Sequence, residues 1–372
     1  MKFELNLSKK ELTIISLAFI TLASIFVMGS LLIRNPDTTA DADKHGWSAD
    51  AAEEAAPIVA AMPAFGITGE NGEVIVQSNE KANARLWDAV LAVNDGKHLP
   101  NVAQLIGDCV SRASMNASEY LICIEMKTGP PGQSEFHRIF SPYPYGVSRF
   151  LIGKGKLRGD GSCGAWAAKG VVEYGLLRAD AEGVPPYSAS VARDWGRNGP
   201  PQRFVEEGRH FPIKQASPVR TADEIRDAIC NGYPVTIASN VGFEQIVTKD
   251  DRLVGARKGT WNHAMTVCGY DGQTGAEPYW YILNSWGELA HGKPLQGEPP
   301  GGFWIRERDM QAIAVQGDSF AYSGFEGFKG RSLNFHLFGE KKKEPDHAKR
   351  ISVDTAKPRN GNASVASRST GI

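Results

Sequence analysis

Two groups of residues in this chain have the types and spacing for acyl-transfer chemistry. The first is Gln104-Leu105-Ile106-Gly107-Asp108-Cys109, a glutamine and a cysteine separated by a short glycine-containing loop. From the cysteine onward, Cys109, Ala113, Ala117, Tyr120, Leu121 and Ile124 recur mostly at spacings of three and four, the period of a buried helical stripe. A cysteine that opens a helix faces unpaired backbone N–H groups and the positive end of the helix dipole. Both lower the thiol pKa, and the thiolate is the nucleophile. A glutamine on the preceding loop can donate its side-chain N–H to an oxyanion. The same residues also fit a core cysteine behind a turn, because free cysteines are among the most buried side chains.

The second group lies downstream. Asn262-His263-Ala264-Met265-Thr266-Val267 runs into Cys268-Gly269-Tyr270, and Tyr279-Trp280-Tyr281-Ile282-Leu283 leads into Asn284-Ser285-Trp286-Gly287. With Gln104 and Cys109, these segments resemble the papain-like cysteine peptidases. That family carries Gln, Cys, His and Asn in this order, with a His-Ala strand ending in Gly-Tyr and an Asn-Ser-Trp-Gly segment after it. The resemblance covers roughly residues 86–328. It implies that Cys109 is the nucleophile and that His263 forms the ion pair and protonates the leaving amine. It implies that Asn284 holds the histidine tautomer, a Cys-His-Asn variant of triad logic. Gln104 and the Cys109 backbone N–H form the oxyanion hole, and Trp286 covers the Asn284–His263 bond. Asp160-Gly161-Ser162-Cys163-Gly164-Ala165-Trp166 resembles the family's glycine stretch whose backbone pairs with extended substrate. Gly161, Ser162 and Cys163, with Asn262, Ala264 and Trp286, are therefore expected at the substrate. The loop from Gln104 to Cys109 is one residue shorter than the family's. Val110 replaces the aromatic that usually follows the nucleophile, and Ile106 replaces a disulfide-forming cysteine.

Cys163 is a rival nucleophile, since its surroundings superficially resemble the family's cysteine motif. It has no glutamine upstream at the matching distance. Its separation from His263 falls well short of the ~130–150 residues typical of such pairs, whereas that of Cys109 slightly exceeds it.

The elements that must position these residues read as α+β. The expectation is a two-lobed papain-like fold with a helical N-terminal lobe, a β-rich C-terminal lobe and the active site in the cleft. Helices are expected from Leu86 to the Asn94-Asp95-Gly96 stop, from Cys109, and from Asp160 to Tyr174. Another starts at the capping box Thr221-Ala222-Asp223-Glu224. Strands are expected at 234–238, 265–269, 279–283 and 303–307, and a turn at 68–73 before Val74-Ile75-Val76. The proline- and glycine-rich stretch 128–159 reads as irregular.

Residues 12–33 are uncharged and long enough to cross a bilayer as a helix. Lys2, Lys9 and Lys10 precede them. This predicts a single-pass anchor with residues 1–11 cytoplasmic and the catalytic domain outside. Secretion after signal cleavage is the competing reading. Residues 34–81 read as a linker with a solvated tether over 34–54, shorter than the helical inhibitory pro-region of papain-like zymogens. Residues 82–330 form the catalytic domain, and 331–372 a disordered tail. A formal net charge of −1 in 372 residues gives no nucleic-acid surface. The five cysteines fit neither a zinc site nor a dense disulfide framework. His45 and His291 carry no surrounding motif and read as surface or satisfied histidines. The sequence thus points to a membrane-anchored cysteine peptidase acting on peptide or protein substrates, with no metal or organic cofactor implied. An inactive papain-fold peptide-binding module, or an amidase or transpeptidase acting on a non-protein amide, would use the same residues.

Overall fold

A computed structural model describes residues 44–75, 81–129, 136–274, 276–331 and 333, all within one unit spanning residues 1–339. The apolar run at 12–33 and nearly all of the 331–372 tail lie outside the described residues. Among the described residues no helix is long and apolar enough to cross a membrane.

The helical half is built around α4 (Cys109–Thr128), with α3 (Trp87–Val93) before it. The predicted stripe Cys109, Ala113, Ala117, Tyr120, Leu121 and Ile124 is wholly buried, because it faces the sheet on one side and other helices on the other. The described part of the stretch 128–159, residues 136–159, is more ordered than its prolines suggest. It carries α5 (Pro142–Gly146) followed by a π-helical turn (Val147–Ile152). Pro142 and Pro144 fall in the first turn of α5, where no intrahelical N–H donor is needed. Next come α6 (Gly164–Glu173), α7 (Ala189–Asn198) and α8 (Gln202–Gly208).

The second half carries the strands. The main sheet has the order β3 (Gln215–Pro218), β10 (Phe320–Ser323), β4 (Val235–Val241), β7 (Thr260–Asp271), β8 (Tyr279–Leu283), β9 (Gly302–Arg306), β6 (Arg252–Ala256) and β5 (Gln245–Lys249). The short β2 (Asn83–Arg85) also pairs with β7. Most neighbours are antiparallel, while β6 and β9 are parallel. β1 (Ile67–Thr68) pairs with β11 (Phe328–Lys329), and the turn after Thr68 closes through Gly69 N–Glu73 O at 2.7 Å. The expected capping box opens α9 (Ala222–Cys230), where Thr221 Oγ1 accepts from Glu224 N at 3.1 Å. α10 (Glu307–Ala314) follows β9 directly. One core cluster joins Trp87, Tyr120, Tyr270, Tyr281 and Trp304 between α3, α4 and the sheet. A second joins Cys109, Cys163, Trp166, Ala238 and Ala264, so the residues of chemical interest sit where the two halves meet.

The tether expected over 34–54 is folded from Lys44 on. Ser48 caps α1 (Ala49–Glu54) by accepting from Ala51 N at 3.2 Å, and α2 (Ala56–Ala61) continues it. Trp47 and Ala51 are buried in the second cluster. Burial of the indole and small alanine faces holds this segment on the domain, despite its alanine- and acid-rich composition.

Candidate active site

Cys109 is the first residue of α4 and is fully buried. His263 lies on β7, paired with Ser239 of β4, and Asn284 follows the last residue of β8. Helix and strand are tied one turn beyond the cysteine, where the Thr266 hydroxyl donates to Ala113 O at 2.9 Å. His263 Nε2 meets Asn284 Oδ1 at 2.7 Å. The same Oδ1 accepts the Ser285 backbone N–H at 2.6 Å, so this atom is the amide oxygen and the imidazole carries its proton on Nε2. His263 Nδ1 is buried, and the Lys44 backbone carbonyl approaches the ring. The backbone N–H of Ala264, the neighbour of His263, faces the Cys109 sulfur and favours its thiolate. The Trp286 ring lies over His263, 4.8 Å between centroids, and Trp261 packs on Trp286 at 4.6 Å. The asparagine loop is anchored from outside the site, where Asn101 Nδ2 donates to Asn284 O at 2.8 Å and to Pro300 O at 3.1 Å.

Gln104 is built into the same corner. Its backbone N–H donates to Ser285 O at 2.8 Å, and its Oε1 accepts from the Ser285 hydroxyl at 2.7 Å. Its amide nitrogen donates to Ile106 O at 2.9 Å. The Gln104 loop and the Asn284 loop are thus locked together through one serine. Before Cys109, Asp108 is fully buried and accepts from the Tyr187 hydroxyl at 3.1 Å, with Arg112 at 3.6 Å. Burial pushes its carboxyl up to about 6 against the pull of Arg112.

On the opposite wall, Gly161 has a φ of +117°, a backbone that side chains rarely adopt. Ser162 stays outside the left-handed region, so the strain considered for a serine there does not arise. The loop is held from below by residues that carry no sequence motif. Arg149 on the π-helical turn donates to the carbonyls of Gly161, of Gly159 at 2.6 Å and of Leu157 at 3.0 Å. The Tyr145 hydroxyl accepts the Gly161 N–H at 3.0 Å. Cys163 stands at the N-cap of α6 and is fully buried. Burial and the neighbouring Asp318 carboxylate both raise its thiol pKa.

The groove between these walls is filled by the chain itself. Gly46 N and Trp47 N donate to Asn262 O at 3.0 and 2.9 Å. Ser162 N donates to Gly46 O at 2.8 Å, and Ser48 N to Ser162 O at 2.9 Å, which pairs Trp47 with Ser162 in parallel. Trp286 Nε1 donates to Lys44 O at 3.3 Å. A Cβ on Gly46 would lie 2.0 Å from Gly107 O, so only glycine lets the segment pass this close to the loop before Cys109. Gly161, Ser162, Asn262 and Trp286, expected at substrate, therefore all touch residues 44–48. The Gly46 N–H also faces the Cys109 sulfur.

This cover dictates the protonation state. Burial pushes the Cys109 thiol up to about 12, outweighing the backbone donors. Burial lowers His263 to about 3 although its bond to Asn284 favours the charged ring. The thiolate expected from the helix terminus is therefore not the form favoured here, because the helix end is sealed from water.

Sequence reasoning also passed over His291. It stands on the loop after Asn284, and its Nε2 lies 2.8 Å from Asn284 Nδ2. Nothing in its flanking residues marks it, since the loop brings it back onto Asn284 only in three dimensions.

Comparison with known proteins adds the following. Residues 160–293 match a family model described as papain family cysteine protease. The matched stretch contains Gly161, His263 and Asn284, while Gln104 and Cys109 precede it. No curated protein matches the chain. Among solved structures, xylellain, a cysteine protease from Xylella fastidiosa, is 15% identical with a TM-score of 0.46, covering 70% of this chain and 95% of that one. Procathepsin B S9 from Trypanosoma congolense is 12% identical with a TM-score of 0.48, covering 77% and 87%. The bromelain protease from Ananas comosus, solved with the E64 inhibitor, is 18% identical with a TM-score of 0.43, covering 65% and 98%. The resemblance to the papain-like cysteine peptidases holds, and the family match supports a papain-like fold of mixed helix and sheet and papain-family cysteine protease function.

Proposed function

We propose that this relative of the papain-family cysteine proteases hydrolyses peptide bonds through Cys109, His263 and Asn284, and that residues 44–48 hold it latent. The carrying observation is the His263 Nε2–Asn284 Oδ1 bond of 2.7 Å, set beside a cysteine whose sulfur faces the backbone of Ala264. In the open cleft, the Cys109 thiolate attacks the substrate carbonyl. The oxyanion takes the Cys109 backbone N–H and the Gln104 amide as donors. His263 gives its Nδ1 proton to the leaving amine, and the acyl group remains on sulfur as a thioester. Water then attacks the thioester with His263 as base. Asn284 keeps the imidazole proton on Nε2 throughout, which leaves Nδ1 for the reaction.

Latency follows from occupancy. Substrate backbone needs Ser162 N–H and Asn262 O, and Gly46, Trp47 and Ser48 already use Ser162 and Asn262. Activity therefore requires this segment to swing out or be cut. The apolar run of residues 12–33 supports a membrane-anchored form with the domain outside the cytoplasm. The test is a peptide-library digest by the full chain and by Trp47→Ala. Cleavage that rises in Trp47→Ala and vanishes in Cys109→Ala is expected. No cleavage by any form, with peptides binding the opened cleft, would leave a peptide-binding module.

A further inference from the structure

Asn284 is held from three directions, and its partners fix which way its amide points. The Ser285 backbone N–H can only donate, so the atom it meets at 2.6 Å is the oxygen. His263 Nε2 shares that oxygen at 2.7 Å. The other end of the amide is therefore its NH2, and it lies 2.8 Å from His291 Nε2. An amide N–H needs a lone pair there. His291 must be neutral, with its proton on Nδ1. The three side chains form one chain of fixed donors and acceptors, from His263 through Asn284 to His291. The His291 ring is held for this task by Phe303, 4.7 Å between centroids, and by Trp286 at 5.6 Å. It is 9% exposed.

We propose that His291 is the positioning residue that holds the Asn284 amide in its working orientation, and that protonation of His291 undoes this and switches the site off in acid. A proton on His291 Nε2 sets one donor against another. If the amide turns end for end to relieve this, its NH2 meets the Nε2–H of His263 and the Ser285 N–H instead. In either arrangement the buried chain loses a bond, and His263 loses the acceptor that orients it.

The groups around His291 set when this happens. From β7, His263 faces it through Asn284. From the cleft segment, Lys44 holds its ammonium over the Trp286 ring, 5.6 Å from the centroid, and the His45 ring meets Trp286 edge-on at 6.0 Å. Trp286 and Phe303 are uncharged. Burial first, and then repulsion by Lys44, lower the His291 pKa to about 4. When residues 44–48 leave the cleft, Lys44 departs and water reaches the ring. The protonation then moves up toward the ordinary value of about 6.5, so the open enzyme should lose activity in mild acid.

The activity arm of the test rests on the peptidase reading, and a second arm does not. In the full chain carrying Trp47→Ala to open the cleft, His291→Leu removes the acceptor and should lower kcat by ~10-fold or more with little change in KM, as expected for a misaligned base. His291→Gln offers a carbonyl acceptor that does not titrate. It should recover most of that loss and shift the acid limb of the kcat profile. Equal losses in both variants, or an unmoved acid limb in His291→Gln, would overturn the proposal. The second arm is 15N NMR of histidine-labelled full chain. At neutral pH, His291 should be the Nδ1–H tautomer and His263 the Nε2–H tautomer, and His291→Leu should speed exchange of the His263 Nε2 proton. An Nε2–H tautomer for His291, or an unaltered His263 signal in His291→Leu, would overturn it. If neither the wild type nor Trp47→Ala cleaves peptide, the peptidase reading fails while the NMR result still decides the role of His291.

Discussion

Cys109 and Cys163 each sit at the N-terminal end of a helix, each fully buried and each beside an aspartate. Around Cys163 the aspartate faces the helix end. Asp318 accepts from Gly164 N at 2.6 Å, from Ala165 N at 2.8 Å and from Trp47 Nε1 at 2.7 Å. The positive end of α6 is thus neutralised by a carboxylate, and that charge raises the cysteine pKa further. Around Cys109 the aspartate points away. Asp108 makes no side-chain cap and turns to Tyr187 and Arg112, although its charge too raises the Cys109 pKa. The N–H of Ala264 then brings β7 to the Cys109 sulfur. A helix N-terminus alone does not select a nucleophile; what faces the sulfur from the neighbouring elements does.

The comparison breaks most cleanly at the two cysteines themselves. Cys109→Ala should remove at least ~10³-fold of peptide hydrolysis, whereas Cys163→Ser should change it only a few-fold; turnover by both purified variants decides. Activity surviving in Cys109→Ala would reverse the assignment. The proposed partner of Cys109 comes next. His263→Ala should approach the loss seen for Cys109→Ala, and Asn284→Ala should lose less, because asparagine orients the base and does not react. Equal loss in a folded Asn284→Ala protein would contradict that role.

A smaller effect is expected from opening the cover. Trp47→Ala deletes the indole bond to Asp318 and the anchor of the segment in the core, so Cys109 should alkylate ~10-fold faster at neutral pH as the buried thiol gains water and a charged partner. An unchanged rate would mean that residues 44–48 do not control access. The smallest effect concerns α6. Asp318→Asn removes the charge at the helix terminus and sets an NH2 against one of the N–H donors its two oxygens accept, and should lower stability by about 1 kcal/mol, read from denaturant unfolding. No loss would show that the carboxylate does not stabilise α6.

Much of the strand side was legible because it rests on short-range pattern. The β8 run from Tyr279 to Leu283 is apolar and buried throughout, and Asn284 follows it at once. The stripe on α4 is equally local. The occupied cleft was not legible. Residues 44–48 dock mainly through backbone groups of Gly46, Trp47 and Ser48, which every sequence possesses, and their flanks read as solvated. His291 and Arg149 escaped for a related reason. Their partners are an amide and a set of loop carbonyls reached only after the loops fold back, with no repeated spacing to betray them. The helix at Pro142 was hidden because proline reads as a breaker wherever its place in the first turn is unknown.

Which thiol becomes reactive when the groove is cleared decides between Cys109 and Cys163. The measurement is limiting iodoacetamide on the full chain and on Trp47→Ala, from mild acid to alkaline pH, with mass mapping of all five cysteines. In the covered protein, labelling of Cys109 should be slow and rise only in alkali, as a thiol pushed up to about 12 demands. In Trp47→Ala, Cys109 should label first and already in mild acid, and His263→Ala should abolish that advantage. Preferential labelling of Cys163 in the uncovered protein, indifferent to His263, would contradict the pairing and the function built on it.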